Sequence, residues 1–99
     1  MNEIIAERTM VFENKSGERK SITIRIGKPY SVSDSEWACP VALDGLYKNL
    51  ADQYGIDSLQ SLNLAMRLAQ QLLSNLEEDG GHFFLEEGTA PIAVSEIFK

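Results

Sequence analysis

Between Gly55 and Glu78 the chain reads as one long amphipathic helix, and that helix dictates what the remaining residues must do. Asp57 can accept a hydrogen bond from an early helical amide and Gln60, three residues on, can reach back, so the start is well marked. Leu59, Leu62, Ala65, Met66, Ala69, Leu72, Leu73 and Leu76 follow at steps of three and four. Such a stripe is wider than the roughly 100° that a core-facing helix needs, and it requires a sheet to cover.

The residues before the helix supply that sheet. Ile4 to Glu13 places Ile4, Ala6, Met10 and Phe12 on one side, with Arg8 intruding among them. After a turn at Asn14 to Gly17, Ser21 to Gly27 alternates Ile22, Ile24 and Ile26 against polar neighbours, and the two runs predict a hairpin. Gly27-Lys28-Pro29 stops the second run. A polar loop from Ser31 to Glu36 then leads to a third strand through Trp37, Cys39, Val41 and Leu43. Pro40 has no N–H to give a ladder, so this strand is expected at a sheet edge or locally broken.

Asp44-Gly45 is a hairpin signal that favours a fourth strand over Leu46 to Tyr54, although the spacing of Leu46, Leu50 and Tyr54 also suits a short helix. Gly80-Gly81 ends the long helix, and His82 to Glu86 reads as a short returning strand. The tail from Thr89 to Lys99 keeps Ile92, Val94, Ile97 and Phe98, too apolar for a free terminus, so either this domain or a neighbouring copy should hold it. The expectation is a single α+β domain over residues 1–99: an antiparallel meander of three or four strands packed against one helix, then a short strand and tail. A chain of 99 residues buries roughly 65% of its unfolded surface on folding, enough for a modest core.

Several of these residues resemble a family of small, functionally uncharacterised bacterial proteins. The likeness lies in Arg8, Gly27-x-Pro29, Trp37-x-Cys39 and the helix opening Gly55-Ile56-Asp57-Ser58-x-Gln60-x-Leu62-x-Leu64-Ala65, across roughly residues 4 to 76. Ser61 stands where that family commonly carries Ala. The resemblance implies a fold and brings no catalytic or binding residue with it.

Charge narrows the partners. Residues 1–50 hold seven basic and seven acidic side chains, whereas residues 51–99 hold two against eight and so carry the whole net charge of −6. A phosphate backbone needs a basic face, and none is present, so nucleic acid is not an expected partner. No apolar run approaches the roughly 18 residues of a membrane span, and Met-Asn-Glu-Ile-Ile is no export signal, so a cytoplasmic address is expected. A lone Cys39 agrees with a reducing compartment.

The candidate site residues each have a plainer reading. Cys39 shares a face with Trp37, Val41 and Leu43, which favours a core thiol over a nucleophile by roughly ten to one. His82 would complete a Cys, His and carboxylate set only if the fold brought it to Cys39. Arg8 on the inward side of its strand suits a stem covering the core margin with its head on a carboxylate. Glu77, Glu78 and Asp79 fit no metal motif and imply no cofactor, yet three carboxylates at the negative end of a helix break a local rule. Leu64 and Leu68 lie off the main stripe and, with the tail, suggest a dimer patch.

From these features the preferred reading is a non-catalytic protein-interaction domain, self-associating as a homodimer through the helix flank and acidic end. One version is an acidic inhibitor or immunity-type protein that docks on a basic partner. The rival is a small enzyme or ligand-binding domain at the sheet and helix end, built from Arg8, Cys39 and His82 or from Trp37 and the tyrosines, and it requires a real pocket.

Overall fold

The computed structural model describes Met1 and residues 3–99. Two long strands dominate, β1 (Ile4–Glu13) and β2 (Arg19–Gly27), paired antiparallel from Ala6↔Ile26 to Glu13↔Arg19. The turn between them is built by Asn14, whose Oδ1 accepts from the amides of Ser16 and Glu18 while Gly17 takes φ 86°. An Asx side chain mimicking a backbone turn, followed by glycine in left-handed space, is what joins two strands at this spacing. Ile22, Ile24 and Ile26 all face the core.

Past Gly27 the chain leaves this sheet. Lys28 and Pro29 carry it into β3 (Tyr30–Ser33), which turns back as β4 (Glu36–Cys39), and the two form a second antiparallel sheet. Pro40 then breaks the strand, and β5 (Val41–Asp44) returns to pair with β2 at the edge of the first sheet. The third strand is therefore broken at the proline, with its halves in different sheets. The expected loop over Ser31 to Glu36 is instead mostly strand and turn. All of Tyr30–Ser33 is exposed, so burial imposes no alternation that a sequence pattern would register.

A full fourth strand over Leu46 to Tyr54 does not form. The amides of Leu46 and Tyr47 both donate to the carbonyl of Leu43, which curls the chain, and only β6 (Gln53–Gly55) joins a ladder, beside β4. Leu46, Tyr47 and Leu50 still pack on the core from this irregular segment. After the helix, β7 (His82–Phe84) pairs with the far end of β1. The sheets run β5-β2-β1-β7 and β3-β4-β6, so the larger sheet is not in chain order.

Helix α1 (Ser58–Glu78) is capped as its sequence requires: Asp57 Oδ1 accepts from the Gln60 amide at 2.8 Å, and Gln60 Oε1 accepts from the Ile56 amide at 2.8 Å. Gly55 admits this start against β6, since a Cβ there would lie 2.7 Å from the Ser61 nitrogen. The face that α1 buries differs from the expected stripe. Ser61, Ala65, Ala69 and Leu73 are buried, while Leu59 is 74% and Met66 38% exposed. Small residues at i, i+4 and i+8 let the helix lie close on the strands, with Leu62, Leu68, Leu72 and Leu76 packing on either side. Ser61 satisfies its buried hydroxyl on the carbonyl of Ser58 at 3.0 Å.

The tail is held by this domain: Ile92 bridges to Phe83, and α2 (Val94–Ile97) seats Val94 at 1% exposure. No helix is long and apolar enough to cross a membrane among the described residues. Burial sets an energetic contrast along α1. Leu73→Ala should cost about 3 kcal/mol in urea unfolding, because its place cannot refill from solvent, whereas Leu59→Ala should stay within about 0.5 kcal/mol. Equal costs would contradict the placement of the helix.

Candidate functional site

Where the chain passes twice between the sheets, it opens a cleft of about 1010 Å3. Lys28, Pro29 and Tyr30 border it from one crossing, Trp37 and Pro40 from the other, and Tyr47, Asn49, Leu50 and Asp52 from the irregular segment before β6. Arg25, Ala42 and Asp44 add to the wall from the first sheet, and Met1, Glu3 and Ile4 border it from the start of the chain. Alternation along β2 explains Arg25: its isoleucine neighbours point to the core, so it faces the other way.

The two crossings are tied together. The Gly27 amide donates to the Pro40 carbonyl at 2.9 Å, and the Cys39 thiol donates to the Gly27 carbonyl at 3.4 Å. A Cβ on Gly27 would lie 2.9 Å from Pro40 Cβ and Cγ, so the close approach needs glycine. Burial, with the charge of Asp52 adding to it, pushes the Cys39 thiol above its usual range, and the side chain is fully buried. Such a thiol serves packing and is a poor nucleophile.

Three polar contacts stiffen the walls. Arg25 donates through Nε to Glu7 at 3.0 Å and through a terminal nitrogen to Asp44, so one guanidinium binds β1, β2 and β5. The bond to Glu7 foremost, with the charge of Asp44, outweighs partial desolvation and holds Arg25 above its already high ordinary pKa. Tyr30 donates its hydroxyl to Asp52. That bond, then desolvation and the charge of Asp52, push its phenol up to about 12. Lys28 lines the same wall without an ion pair among the described residues.

The sequence-derived candidates do not assemble. Cys39 sits under the crossings, His82 lies opposite Glu13 near the hairpin end of β1, and Arg8 stands exposed midway along β1. The second set fares better, since Trp37, Tyr30 and Tyr47 share the cleft while Tyr54 does not line it. At the acidic end of α1, the carboxylate of Glu77 accepts the Val94 amide at 2.9 Å and fastens α2. Glu78 and Asp79 are exposed, and no metal-binding cluster exists among the described residues. Leu68 is half-buried and packs against the core, and Leu64 is half-buried on the neighbouring turn of α1. Lys28, Arg25, Asp44 and Asp52 carry no signal in the sequence, because each is an ordinary surface charge until the crossings bring them together.

Two antiparallel sheets, one capped helix and a cleft at the crossings define a small α+β domain. The family described as a domain of unknown function, DUF6968, matches residues 6–90, and the chain belongs to it. No curated protein matches the chain, and no solved structure does.

The Tyr30 contact has a pH signature. Its folded pKa lies above the ordinary tyrosine value of about 10, so the contact stabilises the fold below that value and its contribution disappears as pH rises through about 12. Asp52→Asn should return the Tyr30 titration toward the ordinary value, read by phenolate absorbance or ring resonances. An unchanged midpoint would show that the carboxylate does not set it.

Proposed function

We propose that this chain is a non-catalytic binding domain whose ligand enters the cleft between the two sheets. The observation that carries this is a concavity of about 1010 Å3 with Trp37, Tyr30 and Tyr47 on its walls, in a domain of only 99 residues. Ligand sites are typically concave and lined by apolar and aromatic side chains with a few convergent polar groups. Binding is favoured over chemistry because Arg25, Asp44, Tyr30 and Asp52 are tied to one another and Cys39 is buried. A general acid or base needs a pKa near the working pH, and these contacts move Arg25, Tyr30 and Cys39 away from it.

Among the described residues the Lys28 ammonium forms no ion pair, and it lines the same cleft as the aromatic rings of Trp37 and Tyr47. A small molecule with a flat apolar part and an acidic group matches that pairing. A reducing cytoplasmic setting belongs to the same proposal, since nothing in the fold uses an oxidised Cys39.

Trp37 is the sole tryptophan, so its fluorescence reports on the cleft directly. Phenylacetate and indole-3-acetate should shift or quench it with dissociation constants on the order of 1 mM, as expected of fragments. Phenethylamine should bind more weakly, and Lys28→Glu should reverse that order. No change in Trp37 emission with any of the three, or an order unaffected by Lys28→Glu, would contradict the reading.

A further inference from the structure

The structure points to a second binding site, separate from the cleft. We propose that the free edge of β1 from Ala6 to Thr9 accepts an extended segment of a partner protein as an added strand, with a carboxylate of that segment set opposite Arg8.

The edge is vacant for an identifiable reason. β2 covers one side of β1 along its length, but on the other side β7 pairs only with Val11, Phe12 and Glu13. If the register Val11↔Phe84 continued, Leu85, Glu86 and Glu87 would pair with Met10, Thr9 and Arg8. The chain turns away before that. The Thr89 amide and hydroxyl both donate to the Glu86 carbonyl, Gly88 takes φ 84°, and Glu87 goes to Arg19 at 2.9 Å. Arg19 in turn lies 4.4 Å over the Phe84 ring. Arg8 is thereby left without the carboxylate that its own sheet would have supplied, and it forms no ion pair among the described residues.

Along this part of β1 runs a groove of about 130 Å3, lined by Ala6, Glu7 and Arg8 together with Ile24, Ile26, Met66, Ile97 and Phe98. Residues Ile4 through Thr9 are all exposed. A strand edge offers a row of backbone donors and acceptors, and side chains beside it select what is added. A register irregularity between Ile4 and Ala6 ends the regular edge on one side and buried Met10 on the other, which confines the position to about four residues. An incoming segment would direct alternate side chains into the groove. Apolar residues suit its aliphatic and aromatic walls, and a Glu or Asp suits the place opposite Arg8.

The partner chemistry is therefore an extended apolar segment bearing one acidic residue on its groove-facing side. The probe is the acetylated and amidated peptide Thr-Val-Thr-Glu-Thr-Val-Thr, titrated into the full chain and followed by amide chemical shifts. Shifts should concentrate at Ala6 to Thr9 and at Met66, Ile97 and Phe98. Arg8→Glu should weaken binding by about tenfold or more, and replacing the peptide's Glu with Lys should restore it to that variant. Arg8 is exposed, so the variant's fold is checked by its unperturbed helix resonances, and the Lys peptide against the unaltered chain gives the same contrast without mutation. Absence of binding, shifts located elsewhere, or insensitivity to both charge reversals would overturn the proposal. So would shifts at Ala6 to Thr9 that follow protein concentration without peptide, since a second copy would then be the occupant. None of these outcomes bears on ligand binding in the cleft, which Trp37 reports independently.

Discussion

The hydrogen bond from the Gly27 amide to the Pro40 carbonyl is the constraint on which the architecture turns. The chain leaves the larger sheet at Gly27-Lys28-Pro29 and returns to it at Pro40, and the two crossings lie side by side. Proline cannot continue a ladder, so each crossing is a place where the strand must end. Tying them side by side spares their buried polar groups, which would otherwise cost about 1–3 kcal/mol each if left unpaired. The same tie sets the two sheets at the opening that becomes the cleft. Residues that line it come from both sheets, so its shape depends on their relative placement.

Helix α1 answers to this arrangement from the other side. Its small residues allow close approach to the strands, while its flanking leucines fill the margins. A helix of 21 residues is about 30 Å long, whereas the molecule extends 47 Å, so one helix cannot span its whole length. The beginning of β1 is what remains uncovered. The C-terminal segment extends the roof part of the way, fastened by Glu77 on the Val94 amide, and thereby gives one of three crowded carboxylates a structural role. Both candidate surfaces follow from a shortage of covering elements. The cleft lies where the sheets part, and the groove lies where helix and tail fall short.

How much of this was legible in the chain differs by element, for physical reasons. The β1–β2 hairpin could be read because only one face of β2 is buried, which forces Ile22, Ile24 and Ile26 into alternation, and because Asn14 and Gly17 carry turn chemistry. The helix start at Asp57 is equally local. Its orientation is not: Leu59 and Met66 look like core residues by hydrophobicity but are exposed, while Ser61 is buried because close packing favours size over polarity. The break at Pro40 was readable, but the assignment of its halves to separate sheets depends on long-range pairing. β3 was invisible because both its faces meet solvent. For the cleft, Trp37 and the tyrosines were recognisable as residue types, yet their convergence and the bonds of Arg25 and Asp52 arise only from the crossings.

Amide hydrogen exchange at Gly27 is the sharpest check on the joined crossings. A tie between them predicts that this amide, at the end of β2 and next to two loop residues, exchanges as slowly as those of Ile24 and Ile26 in the core of the sheet. Exchange at the rate of an exposed loop amide would mean that the crossings are not joined, and the cleft they frame would lose its structural basis.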